Sequence, residues 1–316
     1  MKKFIQNSFY ITLIFIIFIL FTELITSLIV KRKSNFKISK NSKYVIFGHS
    51  HSQFAFNPYY INNISNLSEG GESYFYTYQK VKNVLNQNPQ IEIVFVEFSN
   101  NQIDEDMDQW IWGDKYIDTN YPIFSPFMNF EDNRILLSNN FIGYIRAIPN
   151  SLNNRVSQIL KKNYDYSKNL GGYEDLIRNK TDSLLANSRV NENIMIHNKL
   201  QEVSNYNIKY LSKIVDVCRD YGKKVILIRS PQHDKYIGYQ NEQKYQLILN
   251  NNFQLIEFLD FSKFPLKNSE FGDLEHLNAT GAKIFSKWFQ DILVKGVLEK
   301  EKKQVFINSQ IKDKNI

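Results

Sequence analysis

Hydrophobic residues are distributed in two different ways along this chain. From Phe9 to Val30 they run almost unbroken, interrupted only by Thr12, Thr22, Glu23, Thr26 and Ser27. About 20 apolar residues are enough to cross the hydrocarbon layer as a helix, so residues 9–30 predict one membrane anchor behind a short flank at 1–8. Glu23 is costly deep in lipid and is expected to lean toward the headgroups near Lys31. Lys2 and Lys3 ahead of the apolar run also fit a cleaved signal peptide. No small-x-small cleavage site follows, and the run is longer than a signal core, so the anchor is the preferred reading.

Beyond a polar linker at 31–42, short apolar runs alternate with amphipathic segments. Lys43-Tyr-Val-Ile-Phe-Gly48 reads as a buried strand entering a turn. Residues 73–87 place Tyr74, Tyr78, Val81 and Leu85 at helical spacing and stop before Pro89, and residues 91–98 form the next strand. The same unit recurs as a helix at 206–221, a strand at 224–229, a helix at 240–250 and a strand at 254–260. A last helix follows Asn278 and gathers Gly281, Ile284, Phe285, Trp288, Phe289 and Ile292 on one face. Such alternation predicts an α/β domain over 43–296 with a mainly parallel sheet and helices on both sides, its ligands held beyond the carboxyl ends of the strands. Residues 101–200 break the rhythm and read as an insertion or lid with a helix near 139–147. The charged tail at 297–316 is expected to fray.

Composition narrows the partners more than the fold. The net charge is +7, but the Lys and Arg are interspersed with Asp and Glu, and no dense basic run interleaved with aromatics marks a nucleic-acid footprint. The cluster Lys31, Arg32, Lys33, Lys37 and Lys40 lies beside the anchor, where anionic headgroups are the simpler partner. More Lys and Arg follow the span than precede it, which by charge alone would put the domain in the cytoplasm. Cys218 is the single cysteine, which excludes an intramolecular disulfide and a cysteine-based zinc site; its spacing with Leu211, Ile214 and Val215 makes it a core residue.

The candidate chemistry lies at two distant turns. A serine hydroxyl needs a base, a group that orients the base, and donors for the developing oxyanion. Ser50 follows the first strand in Gly48-His-Ser50. Asp273 and His276 lie three residues apart in the loop before the last helix, a spacing that lets the carboxylate accept the Nδ1 proton and leaves Nε2 for the serine, while Asn278 or Thr280 caps the helix.

Gly48-His-Ser50-His-Ser with Ala55-Phe-Asn-Pro58, together with Asp273-Leu-Glu-His276-Leu-Asn-x-x-Gly-Ala282, resembles the first and last sequence blocks of the SGNH/GDSL hydrolase superfamily. The resemblance covers about 41–296 and implies a three-layer, flavodoxin-like sandwich with Ser50, Asp273 and His276 as catalytic residues. It also implies an oxyanion hole of Ser50 N–H, a glycine N–H from Gly70-Gly71 with Gly71 favoured, and an Asn side chain from Asn100-Asn101 with Asn100 favoured. His49 stands where better-known members have Asp, and Ser99-Asn100-Asn101 lacks their Gly-x-Asn-Asp form. Such substitutions resemble membrane-anchored members associated with acyl modification of cell-surface polysaccharide. That likeness implies an extracytoplasmic domain, an acylated glycan or other ester as substrate, and a multi-span acyltransferase as partner. It does not call for a cofactor or metal. A membrane-tethered, non-catalytic glycan-binding or assembly protein on the same fold is the alternative.

Other polar clusters have plainer readings. His49, His51 and His276 lack a clear carboxylate partner for a metal. The acidic run from Asp104 to Asp108 reads as a solvated loop more readily than a calcium site. Ser230-Pro-Gln-His233 follows a strand at its carboxyl end and faces the expected cleft, although turn chemistry accounts for its proline.

Overall fold

A computed structural model describes residues 1–187 and 202–314. In chain order the elements are α1 (Lys2–Lys33), β1 (Tyr44–Phe47), α2 (Ser50–Ala55), β2 (Ile64–Asn66), α3 (Tyr74–Gln87) and β3 (Ile93–Glu97). Next come α4 (Gln109–Trp112), α5 (Asp114–Phe124), α6 (Phe130–Asn139), α7 (Phe141–Lys161) and α8 (Thr181–Ala186). The chain then forms α9 (Asn205–Asp220), β4 (Lys224–Arg229), α10 (Glu242–Asn252), β5 (Glu257–Asp260), α11 (Ala279–Val294) and α12 (Lys303–Lys314). These divide into two compact units, one made of residues 1–35 and 111–169, the other of 36–110 and 170–316. The expected single insertion at 101–200 is therefore shared: 111–169 falls in the unit with α1, 101–110 and 170–187 fall in the unit that holds the sheet, and 188–200 lie outside the described residues.

The larger unit is built on a five-stranded, wholly parallel sheet in the order β2-β1-β3-β4-β5. Alternation along the strands sends Ile46, Phe95, Ile226, Ile228 and Leu259 to one face, where they pack with Phe285, Phe289 and Ile292 of α11. The intervening Val45, Phe47, Val94, Val96 and Leu227 point the other way and are equally buried. A sheet buried on both faces needs continuous apolar strands, which these segments supply. Cys218 is fully buried on α9, where burial pushes its thiol up to about 12.

Two features of this unit depart from expectation. The pattern does not announce β2: two of the three residues in Ile64-Ser-Asn66 are polar, and its pairing to β1 rather than its composition makes it a strand. The tail does not fray, because Val297 and Ile307 are fully buried and Phe306 and Ile311 pack against the same core. Gln304 of α12 also accepts from the Asp260 N–H at 2.8 Å and donates to its carbonyl at 3.0 Å, occupying backbone groups of the edge strand β5.

The smaller unit gathers α5, α6 and α7 with α1. Thirty-two residues give α1 a length of about 48 Å, and it is apolar and long enough to cross a membrane. Instead of leaning outward, Glu23 pairs with the buried guanidinium of Arg155 from α7. Arg155 also donates to Thr26 Oγ1 at 3.1 Å, Ser125 Oγ at 2.8 Å and Ser151 Oγ at 2.6 Å. An acid inside an apolar helix thus meets a fully bonded base. Helix α7 continues through Pro149 to Lys161, well past the predicted end near residue 147, because its packing outweighs the one backbone bond that a proline removes.

Two stability predictions follow from the buried charges. Arg155→Ala leaves Glu23 without its partner and should lower stability by about 3 kcal/mol, whereas Glu23→Leu with Arg155→Met should cost much less; denaturant unfolding of the full chain in detergent measures both. In the larger unit, burial raises the carboxyl of Glu97 to about 7 even though Ser230 donates to it and Arg229 lies near. The unfolded chain ionises this group from about pH 4.3 while the folded chain does not, so its contribution to stability falls as pH rises through that window and levels off above about 7. Thermal unfolding across the window should show a fall in wild-type Tm that is absent from Glu97→Gln.

Candidate active site

Ser50, Asp273 and His276 meet beyond the carboxyl ends of the strands. Strand β1 ends at Phe47, and Gly48 carries the chain past Glu97 at a closeness that forbids a side chain: a β-carbon there would collide with Glu97 Cβ and Ser52 Oγ. Ser50 is then the first residue of α2. Its hydroxyl donates to His276 Nε2 at 2.8 Å, and His276 Nδ1 donates to the Asp273 carboxylate at 2.9 and 3.1 Å. Two distant stretches of sequence thus form one continuous hydrogen-bonded chain.

The loop carrying the acid and the base is folded by its own polar groups. Asp273 Oδ1 accepts from the backbone N–H groups of Glu275 at 2.8 Å and His276 at 2.9 Å, an Asx-type turn that sets the imidazole relative to the carboxylate. Asn278 caps α11 through the N–H groups of Thr280 and Gly281, and its amide donates to the carbonyls of Ser269 and Phe271. Burial works to raise the Asp273 carboxyl. The hydrogen bond and charge of His276, the Glu275 N–H and the Arg178 guanidinium outweigh it and hold the group well below the usual carboxylate range.

Arg178 carries no signal in the sequence. It comes from a segment that runs along the loop bearing Asp273 and His276, where Lys180 N–H donates to Gly272 O at 2.8 Å and Leu176 O accepts from Ala279 N–H at 3.1 Å. From there the guanidinium donates to Asp273 Oδ2. Only its contact with Asp273 reveals it, because a lone Arg in an aperiodic stretch looks like any surface cation.

The predicted oxyanion donors are rearranged. Glu69 to Glu72 form a tight turn in which Gly71 takes the left-handed conformation, φ 74°, that a type II turn requires. Gly70 approaches Ser50: a β-carbon built on it would lie 4.0 Å from Ser50 Cβ and 3.0 Å from Gln53 Oε1. Asn100, favoured as the side-chain donor, is fully buried and turned elsewhere. Its amide donates to Glu242 at 2.7 Å and Asn241 at 3.2 Å, and its oxygen accepts from Arg229 at 3.0 Å. Arg229 is a buried cation with Asp260 and Glu242 as counter-ions, and it recruits the neighbouring amide. Asn101 is linked toward Ser50 through two side chains: its oxygen accepts from Ser99 Oγ at 2.8 Å, Ser99 is 2.8 Å from His49 Nε2, and His49 Nδ1 is 3.5 Å from Ser50 Oγ.

His49 and His51 are buried beneath the site, and both are neutral. Burial pushes each imidazole well below its ordinary value, and the neighbouring imidazoles push the same way. With Ser99 donating to Asn101, His49 Nε2 carries the proton and Nδ1 faces Ser50 Oγ at 3.5 Å. Gln232 Nε2 donates to His51 Nδ1 at 2.8 Å, which sets the His51 proton on Nε2, 3.7 Å from Glu275.

Among the described residues, two groups bring ligand-type atoms within 4.8 Å of one another: His49, His51 and Glu97, and His51, Glu275 and His276. Ser99, Gln232, Ser230, Ser50 and Asp273 already occupy ring nitrogens or carboxylate oxygens of these groups. In the acidic run, Asp104 accepts from Asn241 at 2.8 Å and Asp108 from Ser204. Burial raises both carboxyls to about 6.

No curated protein matches the chain. A solved structure from Streptococcus pneumonia, provisionally described as a platelet activating factor, aligns over 91% of this chain and 99% of its own at 14% identity, with a TM-score of 0.41. A family model without a characterised activity matches residues 134–298, a stretch that takes in Arg178, Asp273 and His276 and leaves Ser50 outside; the match covers just over half of the chain, which therefore belongs to that uncharacterised family.

Proposed function

We propose that this protein is a serine-dependent ester hydrolase or O-acyltransferase of the SGNH/GDSL type, anchored in a membrane by α1 and acting on acyl groups of cell-envelope polysaccharide. The carrying observation is the unbroken series Ser50 Oγ, His276 Nε2, His276 Nδ1 and Asp273, with hydrogen bonds of 2.8 to 3.1 Å. The strand order 2-1-3-4-5 supports the flavodoxin-like arrangement, whose switch point lies between β1 and β3, beside Ser50 and Ser99. The extracytoplasmic placement, the glycan and a multi-span acyltransferase partner come from the sequence resemblance.

In the proposed reaction Ser50 Oγ attacks the acyl carbonyl carbon while its proton passes to His276 Nε2, and Asp273 stabilises the resulting imidazolium. The tetrahedral oxyanion is met by the Ser50 N–H, the Gly70-Gly71 turn and Asn101. Collapse expels the alcohol, which takes the proton back from His276. Water or a sugar hydroxyl then attacks the acyl-enzyme as His276 takes its proton, the Ser50 ester bond breaks and Ser50 Oγ recovers the proton from His276; the choice of acceptor separates hydrolase from transferase. The displacement of Asn100 from the site favours a second reading, a glycan-binding protein without turnover.

Full-length protein in detergent, assayed on p-nitrophenyl acetate with and without an oligosaccharide acceptor, separates these readings. Turnover should fall at least about 1,000-fold in Ser50→Ala and in His276→Ala; rates equal to wild type would end the enzyme proposal. Asn101→Ala should lower kcat by about 100-fold with KM little changed, whereas Asn100→Ala should chiefly lower Tm by loosening the Arg229 cluster. Arg178→Met should reduce kcat by about 10-fold, through weaker orientation of Asp273, and leave folding intact.

A further inference from the structure

Helix α7 has three distinct faces. Gly143, Ala147, Ser151 and Arg155 recur every fourth residue and are buried within the smaller unit. A second arc carries Arg146, Asn150, Asn153 and Lys161, all exposed and polar. The third arc carries Phe141, Ile142, Ile145, Val156 and Leu160, and it too is exposed: Ile142 is 76% and Leu160 78% accessible. A stripe of large apolar side chains along a 21-residue helix, rimmed on one side by polar residues, is the pattern of a helix lying in a lipid interface.

The occupant of that stripe is indicated by what α7 is fastened to. Its buried face holds α1 through Arg155, Glu23 and Thr26, and the exposed apolar residues of α1 run from Phe4 to Leu28, most of them on the amino-terminal side of that contact. Just beyond the contact, α1 ends in Lys31, Arg32 and Lys33 and α7 ends at Lys161 and Lys162, with Lys33 over the Tyr164 ring at 5.4 Å. In both helices an exposed apolar run leads directly into a basic cluster, which matches the acyl and anionic headgroup layers of one membrane surface.

We infer that α7 is a second membrane contact, laid in the lipid interface with its Phe141–Leu160 apolar stripe among the acyl chains and its basic end at anionic headgroups. This rests on the membrane-anchor part of the proposed function and is independent of the catalytic part. It gives the protein a footprint on the bilayer in addition to a tether, and it explains why α7 keeps an exposed apolar face.

Single cysteines placed in full-length protein carrying Cys218→Ala, labelled with an environment-sensitive fluorophore and reconstituted into phosphatidylethanolamine and phosphatidylglycerol vesicles, test it. Lipids spin-labelled near the headgroup should quench probes at Ile145→Cys and Val156→Cys at least about 3-fold more than probes at Asn150→Cys and Asn153→Cys. A probe at Ile14→Cys should respond to lipids labelled near the acyl terminus. Should Ile14→Cys respond while the two faces of α7 quench equally, the interfacial helix is wrong and the anchor stands. Without a response at Ile14→Cys, the anchor fails and the inference with it. Probes at Ile145→Cys and Val156→Cys shielded from aqueous iodide yet untouched by labelled lipid would mean that protein covers the stripe, which also overturns it.

Discussion

The site depends on what one carboxylate does for its own loop. Asp273 Oδ1 accepts from two backbone N–H groups and from the imidazole of His276 at once, all within 2.9 Å. A carboxylate that receives several donors stays ionised even when half hidden from water. Once it is ionised, the turn it organises fixes the imidazole before Ser50 is reached. The order of causes therefore runs from a local Asx turn to a long-range contact. The Asn278 cap and the 170–187 segment hold the two ends of the same loop.

Below that loop the protein tolerates an unusual density of buried polar groups: His49, His51, Ser52, Glu97, Ser99 and Gln232 are all nearly or wholly inaccessible. Unpaired, such groups would each cost on the order of 1–3 kcal/mol. Here they bond mainly to one another, and the imidazoles avoid the larger cost of a buried charge by remaining neutral. Elsewhere the unit buries its charges in pairs, Lys80 with Glu72 at 2.8 Å and Arg229 with Asp260. Lys80 further donates to the carbonyls of Leu67 and Leu170, which ties the turn bearing Gly70 to the segment that supplies Arg178.

The parts of this arrangement that were legible in the sequence are those that local pattern controls. Parallel strands buried on both faces must be apolar throughout, so β1, β3 and β4 could be read directly, with ends one or two residues off. The spacing of Asp273 and His276 is a property of one turn and was equally readable. What could not be read depends on partners distant in sequence. Strand β2 exists through its pairing with β1, Asn100 turns away because a buried Arg229 competes for its amide, and Gly71 serves the turn conformation while its neighbour faces Ser50. Glu23 looked like a flaw in an apolar helix; its counter-ion lies 132 residues away on α7. Helix α12 was hidden because a charged segment with only a few apolar positions resembles a loose tail until the core accepts Ile307.

The charge pattern of the site also bears on how the proposed reaction would proceed. As the serine proton moves to His276, a positive imidazolium appears where a neutral ring stood. A charged His49 or His51 would oppose this, with ring centres of His51 and His276 only 5.2 Å apart. Burial removes the opposition by keeping both rings neutral. The ionised Asp273 and the adjacent Glu275 favour the developing cation instead. Arg178 pulls the other way through its own charge, but it is more exposed than the acid it orients, and solvent screens it more strongly. In the proposed reaction, then, a histidine at position 49 is acceptable because it is buried: as a neutral ring hydrogen-bonded to Ser99, it packs beneath Ser50 without adding charge where charge must form.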